Sequence, residues 1–196
     1  MPYPEGHKIK VRGKIIESAA KAFRTNGIRD ISVPVIMKGA GLTHGGFSSH
    51  FENKDQLITE SCKYAVDDTI AILRQVAEET KSESKIHAVI DYYLSPTHRD
   101  NTEFGCIIPT LSGENPQLSQ DVRHVFTLQL QRIIDFITQL ANVNKSTASA
   151  LFSLMIGTIV LARSVSDSNM SDNILTSGRQ HAKDVLHTLK WEINHE

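Results

Sequence analysis

The amino-acid sequence predicts an all-α protein, and two observations lead to that prediction. The 196 residues include only 6 prolines and 11 glycines, so long stretches lack the residues that interrupt helices. Apolar residues recur three and four positions apart along most of the chain, whereas the alternation of β-branched residues that is typical of strands is rare. Hydrophobic residues make up 40% and charged residues 22%, which is sufficient for a globular protein with a sizeable core.

The first 55 residues predict three helices and the start of a fourth. The first helix covers 8–26, has one apolar face and ends at Asn26-Gly27. The third is short and spans about 44–50. Residues whose side chains can accept an unpaired backbone N–H precede the second, third and fourth helices. These predicted N-caps are Ser32, Thr43 and Asn53.

The remaining residues predict a larger helical body. The polar stretch Ser95–Glu103 contains a proline and is predicted to be a loop, and Ser146 is predicted to cap the helix that it begins. That helix is apolar on all sides at its centre, which predicts burial on more than one face. The predicted helices of the body are 53–79, 85–94, 105–112, 117–141, 146–166 and 171–191.

The segment 41–57 carries the most specific motif of the chain. Two short helices joined by a tight glycine turn form a helix-turn-helix, whose second helix can enter the major groove of DNA. The segment resembles the signature of the TetR family of bacterial repressors, with a Gly-Leu-Thr turn, a phenylalanine, a His-Phe pair and a lysine. The resemblance covers about residues 10–60 and includes upstream Ile15, Ala19, Phe23, Gly27, Ile36 and Ala40.

The resemblance implies two domains and a homodimer. It assigns residues 1–55 to an N-terminal three-helix DNA-binding domain and 56–196 to a larger C-terminal helical domain for effector binding and dimerisation. In the family, the last two long helices of each subunit form a four-helix bundle with those of the partner. The apolar surface of Ala148–Ala162 favours the same interface here, because one subunit is not expected to cover all of it.

The helix-turn-helix supplies the candidate DNA contacts. Two consecutive glycines in the recognition helix let the backbone approach DNA closely, although each costs about 1 kcal/mol relative to alanine. The resemblance implies that Lys54 contacts a phosphate. Ser48 departs from the family, which usually has a tyrosine there that touches the DNA backbone, and a serine has a shorter reach. The candidate DNA-binding residues are Ser32, Thr43, His44, Gly45, Ser48, Ser49, His50 and Lys54.

The distribution of charge agrees with a DNA-binding head. The net charge of the chain is −1, but residues 1–55 contain nine Lys or Arg and five Asp or Glu. The remaining residues contain twelve basic and seventeen acidic side chains. A basic module on an acidic body is typical of a protein that binds a duplex through one end.

The resemblance also implies a cavity in the larger domain for a small-molecule effector. Aromatic and apolar residues on the predicted helices are candidates to line it, although an apolar stripe at helical spacing is more often ordinary core. The candidate pocket residues are Tyr92, Tyr93, Phe104, Cys106, Phe126, Phe152, Met155 and Ile156.

Cys106 suggests an alternative function. It follows Gly105 and a polar stretch and is predicted to open a helix, where the helix dipole favours a thiolate. It is therefore a candidate sensor of oxidants or electrophiles, and a small buried apolar residue is the other interpretation. A third interpretation, of a different class, is a DNA-binding scaffold or protein-interaction module without an effector.

The sequence gives no indication of catalysis, a metal site or a cofactor. Its histidines and two cysteines lack the spacing of metal ligands, and no catalytic triad or carboxylate pair stands out. No apolar stretch follows the charged start, and the apolar run Ala148–Ala162 is shorter than the ~18 residues of a membrane span. We therefore expect a cytoplasmic regulator that is not an enzyme, with double-stranded DNA, a second copy of the chain and a small-molecule effector as partners, and no membrane.

Overall fold

A computed structural model describes residues 5–81, 84–114 and 118–193, with the side chains of Glu5 and of 188–193 left undescribed. The described residues form helices and no strand, which confirms the all-α prediction. Two 3-10 segments, His44–Ser49 and Thr102–Phe104, accompany nine α-helices in these residues. The helices are α1 Glu5–Asn26, α2 Val33–Gly39, α3 Lys54–Glu79, α4 Lys85–Tyr93, α5 Pro96–Asp100, α6 Ile108–Ser112, α7 Gln120–Ala141, α8 Lys145–Ser164 and α9 Ser168–Ile193.

The predicted loop before α6 and the predicted cap of α8 differ from the structure. The stretch predicted as a polar loop is α5 followed by the 3-10 segment, because Ser95 accepts a bond from the His98 N–H (3.1 Å) and Pro96 fits the first turn. The cap of α8 is Asn144, whose side chain accepts from the Thr147 N–H at 2.9 Å, and not Ser146. The helical spacing of Leu189 and Ile193 in the sequence predicts that they face inward, and their side chains lie outside the described ones.

Of the three predicted N-caps in the first 55 residues, only Asn53 forms a capping hydrogen bond through its side chain. Asn53 accepts from the Gln56 N–H at 2.8 Å. Ser32 and Thr43 occupy N-cap positions with extended backbones, but neither side chain accepts a cap bond. The hydroxyl groups of Ser32 and Thr43 therefore form no capping hydrogen bond.

The chain divides into two compact units, and the first of them is discontinuous in sequence. The first consists of residues 1–68 and 106–129, and the second of residues 69–105 and 130–196. The first unit has a core of fully buried side chains from α1, α2, α3 and α6, which includes Ile15, Phe23, Ile36, Leu57 and Ile108. The predicted division into DNA-binding and effector domains at residue 55 concerns function, and it stays a prediction.

In the second unit, α8 packs against α9. A Cβ at Gly178 would lie 2.4 Å from Thr158, so the close approach of the two helices requires glycine at that position. Ile159 lies within the apolar run Ala148–Ala162 that the sequence predicts to dimerise, but it is completely buried within the chain and is a core residue. Its neighbours Val160 and Leu161 are 37% and 58% exposed, and Met170 on α9 is 54% exposed.

The helix α8 is also the one described helix that meets the length and composition of a membrane span. The buried share of its most apolar window is 39%. Core helices of proteins that never enter a membrane have the same length and composition, so this property alone is weak support for a span.

Candidate nucleic-acid interface

The recognition segment, His44–Ser49, lies at the surface of the first unit. It is a 3-10 helix instead of the predicted α-helix, and none of its residues is buried. Gly41 makes the turn before it with a φ of +73°, a backbone conformation that suits glycine. The exposed candidates for DNA contact are Ser32, Thr43, His44, Gly45, Ser48 and Ser49. The structure therefore brings six predicted contact residues to the surface of one unit.

His50 follows the recognition segment and is half-buried. Burial lowers the pKa of its imidazole, and the positive charges of Lys8, Arg12 and His7 lower it further. Its Nδ1 is shielded from solvent without a hydrogen-bond partner. The imidazole thus lies beside a group of basic side chains from α1, at the edge of the candidate interface.

Lys54, at the start of α3, has a partner within the protein. Its ammonium group donates to the Ile28 carbonyl oxygen at 2.9 Å, and its side chain is half-buried. An ammonium group has three donors, so this bond leaves donors for a phosphate oxygen. The phosphate contact of Lys54 stays a prediction, and the bond gives Lys54 a second role in holding the turn between α1 and α2.

Two residues that the sequence reasoning missed connect α1 to the recognition segment. Arg12 donates through Nε to the His50 carbonyl oxygen at 3.3 Å, and its guanidinium lies over the Phe51 ring, 4.5 Å from the centroid. Glu60 on α3 binds the two terminal nitrogens of Arg12 in a bidentate ion pair, which raises the pKa of the arginine. No sequence pattern indicates this pair, because its members are far apart along the chain.

Residues of α6 and the turn after it also contact the end of α1. Glu114 accepts from the backbone N–H groups of Ile28 (2.7 Å) and Arg29 (3.4 Å). Thr110 donates from its hydroxyl to the Arg24 carbonyl oxygen at 2.9 Å. The backbone that leads from α1 into the helix-turn-helix therefore depends on residues more than eighty positions later.

The candidate effector residues fall into different environments. In the second unit, Tyr93, Phe152 and Met155 are buried, with the rings of Tyr93 and Phe152 6.0 Å apart. Tyr92 and Ile156 are half-buried, and Phe104 is 52% exposed. Phe126 and Cys106 are buried in the first unit. None of the eight lines the groove of about 720 Å³ between α8 and α9, so an effector pocket among them stays a prediction.

Both cysteines are buried, which corrects the expectation of an accessible thiol at Cys106. Cys106 is 2% exposed and precedes α6 by two residues instead of opening it. Cys62 is 3% exposed, and burial followed by the proximity of Cys106 raises the pKa of its thiol to about 12. Within the described residues, no group of three or more His, Cys, Asp or Glu side chains is arranged to hold a metal ion.

Comparisons with known sequences agree with the geometry of the first unit. Residues 15–60 match the family model of the bacterial regulatory proteins of the tetR family. The transcriptional repressor KstR2 from two strains of Mycobacterium tuberculosis is 32% identical over 69 residues. That alignment covers 35% of this chain and about a third of the length of the curated relatives.

Comparisons with solved structures extend over most of the chain. A TetR-family transcriptional regulator from Cytophaga hutchinsonii has a TM-score of 0.77 and 16% identity, over 93% of this chain and 96% of that protein. The reduced form of Escherichia coli NemR has a TM-score of 0.74 and 17% identity, over 89% of this chain and 96% of NemR. At these identities the likeness concerns the fold alone.

Proposed function

We propose that this chain, whose residues 15–60 match the family model of the tetR regulators, is a TetR-family repressor that binds a partly palindromic operator as a homodimer and is released by a small-molecule effector. The observation that carries the proposal is the exposed, polar recognition segment on a basic module. Its hydroxyl and imidazole side chains suit hydrogen bonds to base edges and phosphates. Such a regulator works on DNA in the cytoplasm.

The exposed side of α8 and α9 that carries Leu161 and Met170, which we call the outer face, favours a homodimer. Leu161 and Met170 are more than half exposed, and a groove of about 720 Å³ runs beside Gly157 and Gly178. Large apolar side chains grouped on one surface favour association, because burying them removes apolar area from water. A second copy of the same face would cover them in a two-fold arrangement, and a two-fold dimer is the assembly that a palindromic operator requires.

The contacts of α6 support control by an effector. Thr110 and Glu114 hold the end of α1 and the turn before α2 by hydrogen bonds. A ligand that binds better when α6 is displaced would break these bonds and change the position of the helix-turn-helix.

The proposal is tested by selecting duplexes from a random library with the intact protein and measuring their affinity by fluorescence anisotropy. We expect enrichment of a partial palindrome and a logarithmic affinity that falls linearly with the logarithm of salt concentration, because phosphate contacts release counterions. Failure of any duplex to be enriched at low salt would contradict DNA binding. An effector screen on the selected duplex then distinguishes a ligand-released repressor from a scaffold without an effector.

Lys54→Ala sharpens this test at one residue. Loss of a phosphate contact should weaken binding to selected and random duplexes alike and reduce the salt slope by about one. Lys63→Ala is the matched control, because Lys63 is exposed further along the same helix. An equally small effect of both substitutions would show that Lys54 does not contact DNA and that its role is the hydrogen bond to the Ile28 carbonyl oxygen.

A further inference from the structure

The recognition segment packs against α2, but little of its own structure fixes the direction of its C-terminal end. It has no buried residue and no side-chain cap, and it contains two adjacent glycines. Its one large side chain, Phe47, stacks on Phe51 with ring centroids 5.6 Å apart and an interplanar angle of 22°. Besides the contact with α2, the position of its C-terminal end therefore depends on what holds His50 and Phe51, the two residues that follow it.

Arg12 holds both of these residues from α1. One guanidinium group donates to the His50 carbonyl oxygen and covers the face of the Phe51 ring. A planar group that makes both contacts at once fixes the end of the recognition segment in direction as well as in distance. Phe51 is 2% exposed, so it cannot move without disturbing the core of the unit.

Glu60 determines the orientation of Arg12. The two carboxylate oxygens receive the two terminal nitrogens of the guanidinium, which is the geometry that fixes its plane. Glu60 is itself held by the Gln56 amide at 3.2 Å, and Gln56 accepts from the Glu52 backbone N–H at 2.8 Å. The pair is about a third exposed, and ion pairs with that exposure contribute little to stability.

We propose that Arg12 and Glu60 form a clamp that positions the recognition segment for sequence-specific readout. The proposal rests on the DNA-binding function proposed above. Arg12 is a positioning residue: its contacts are made with the protein backbone, an aromatic ring and a carboxylate. It acts on DNA through the segment that it holds, so its loss affects selected duplexes and leaves random ones unaffected.

The charge of Glu60 makes the proposal testable, because two effects have opposite signs. Glu60→Gln removes a negative charge from a basic DNA-binding module, and electrostatics alone would then tighten binding to every duplex. The same substitution removes the bidentate partner of Arg12 and loosens the recognition segment, which weakens binding to the selected duplex. For Glu60→Gln, the clamp therefore predicts weaker binding to the selected duplex, whereas the change in charge alone predicts tighter binding.

The experiment measures the affinity of the intact protein for a selected and a random duplex at several salt concentrations. For Glu60→Gln we expect about a tenfold loss on the selected duplex, an unchanged or tighter affinity for the random one, an unchanged melting temperature and the same salt slope. Arg12→Lys keeps the charge but lacks the fork, so it should lose the same factor. The double variant should lose no more than either single variant, because the two residues act as one unit.

Glu17→Gln is the control, since Glu17 lies on the same helix as Arg12 and forms an ion pair with Lys21, one turn away. It should keep or slightly increase both affinities. Selected-duplex binding by Glu60→Gln that equals or exceeds that of the wild type would overturn the clamp. A lower salt slope for Arg12→Lys would overturn it as well, because Arg12 would then be a phosphate contact. Where Glu60→Gln does not fold, Arg12→Lys decides; a wild-type protein that binds no duplex contradicts the proposed function instead.

Discussion

The recognition segment and the outer face of α8 and α9 are both proposed to bind a partner, and they differ in how they are supported. The recognition segment is polar, six residues long and without a buried side chain, so contacts from α1 and α3 hold it from behind. On the outer face, exposed Leu161 and Met170 project from long helices whose other sides are buried. Hydrogen bonds to bases require fixed directions, whereas apolar burial is non-directional. Contacts that fix the orientation of a surface therefore matter more for the recognition segment, which forms directional hydrogen bonds with DNA, than for the apolar face.

The largest expected effect is on the apolar face. Leu161→Glu should convert the dimer into monomers. The substitution occurs twice in a two-fold dimer, and each leucine contributes about 1.5–3 kcal/mol of burial, so the dissociation constant should rise roughly a hundredfold or more. Sedimentation velocity over a range of protein concentrations measures it. DNA affinity should fall in parallel, because monomers present one head at a time.

Leu128→Glu is the matched control for that variant. Leu128 is a leucine of α7 with 49% exposure, close to the 58% of Leu161, and it does not belong to α8 or α9. It should leave the oligomeric state unchanged. If Leu161→Glu stays dimeric at low micromolar concentration, the interface lies on another surface and the contrast with the recognition segment is lost.

The second effect concerns the backbone support of the helix-turn-helix. Gly27 has a φ of +77°, and a Cβ there would lie 1.9 Å from a Glu114 carboxylate oxygen. Gly27→Ala should therefore lower the free energy of unfolding by about 1–3 kcal/mol, through a strained backbone and a displaced Glu114. Gly13→Ala, in α1 with open space around it, should raise it by about 0.5–1 kcal/mol. Urea unfolding compares the two, and changes of the same sign would refute this account of the turn.

The smallest effect lies on the recognition segment itself. Ser48 is exposed, so Ser48→Tyr should leave the unfolding transition unchanged. A longer hydroxyl-bearing side chain should reach the DNA backbone and tighten binding a few-fold without changing the preferred sequence, because phosphate contacts carry no sequence information. Anisotropy with selected and random duplexes measures both. Weaker binding would mean that Ser48 makes a close contact which the tyrosine ring blocks.

The sequence predicted the long helices well because their apolar spacing is a local property, and α1, α3 and α9 lie within a few residues of their predicted bounds. It did not predict α5, since a cap at Ser95 and a proline in the first turn form a helix too short to show periodicity. It also missed Arg12, Glu60 and Glu114, whose partners are distant in sequence. The exposure of six of the candidate DNA-contact residues followed from the motif, whereas the burial of Cys106 depends on tertiary packing.

The contact between Glu114 and the Ile28 backbone has a consequence for synthesis of the protein. The first unit is discontinuous, and eighty-six positions separate Glu114 from Ile28. During translation the residues of the helix-turn-helix are synthesised long before Glu114. Closing so long a loop also carries an entropic cost. A nascent chain that ends before Glu114 therefore presents a DNA-binding motif whose turn after α1 lacks its carboxylate partner. The helix-turn-helix gains its hydrogen bonds from Glu114 only when more than half of the chain has been synthesised.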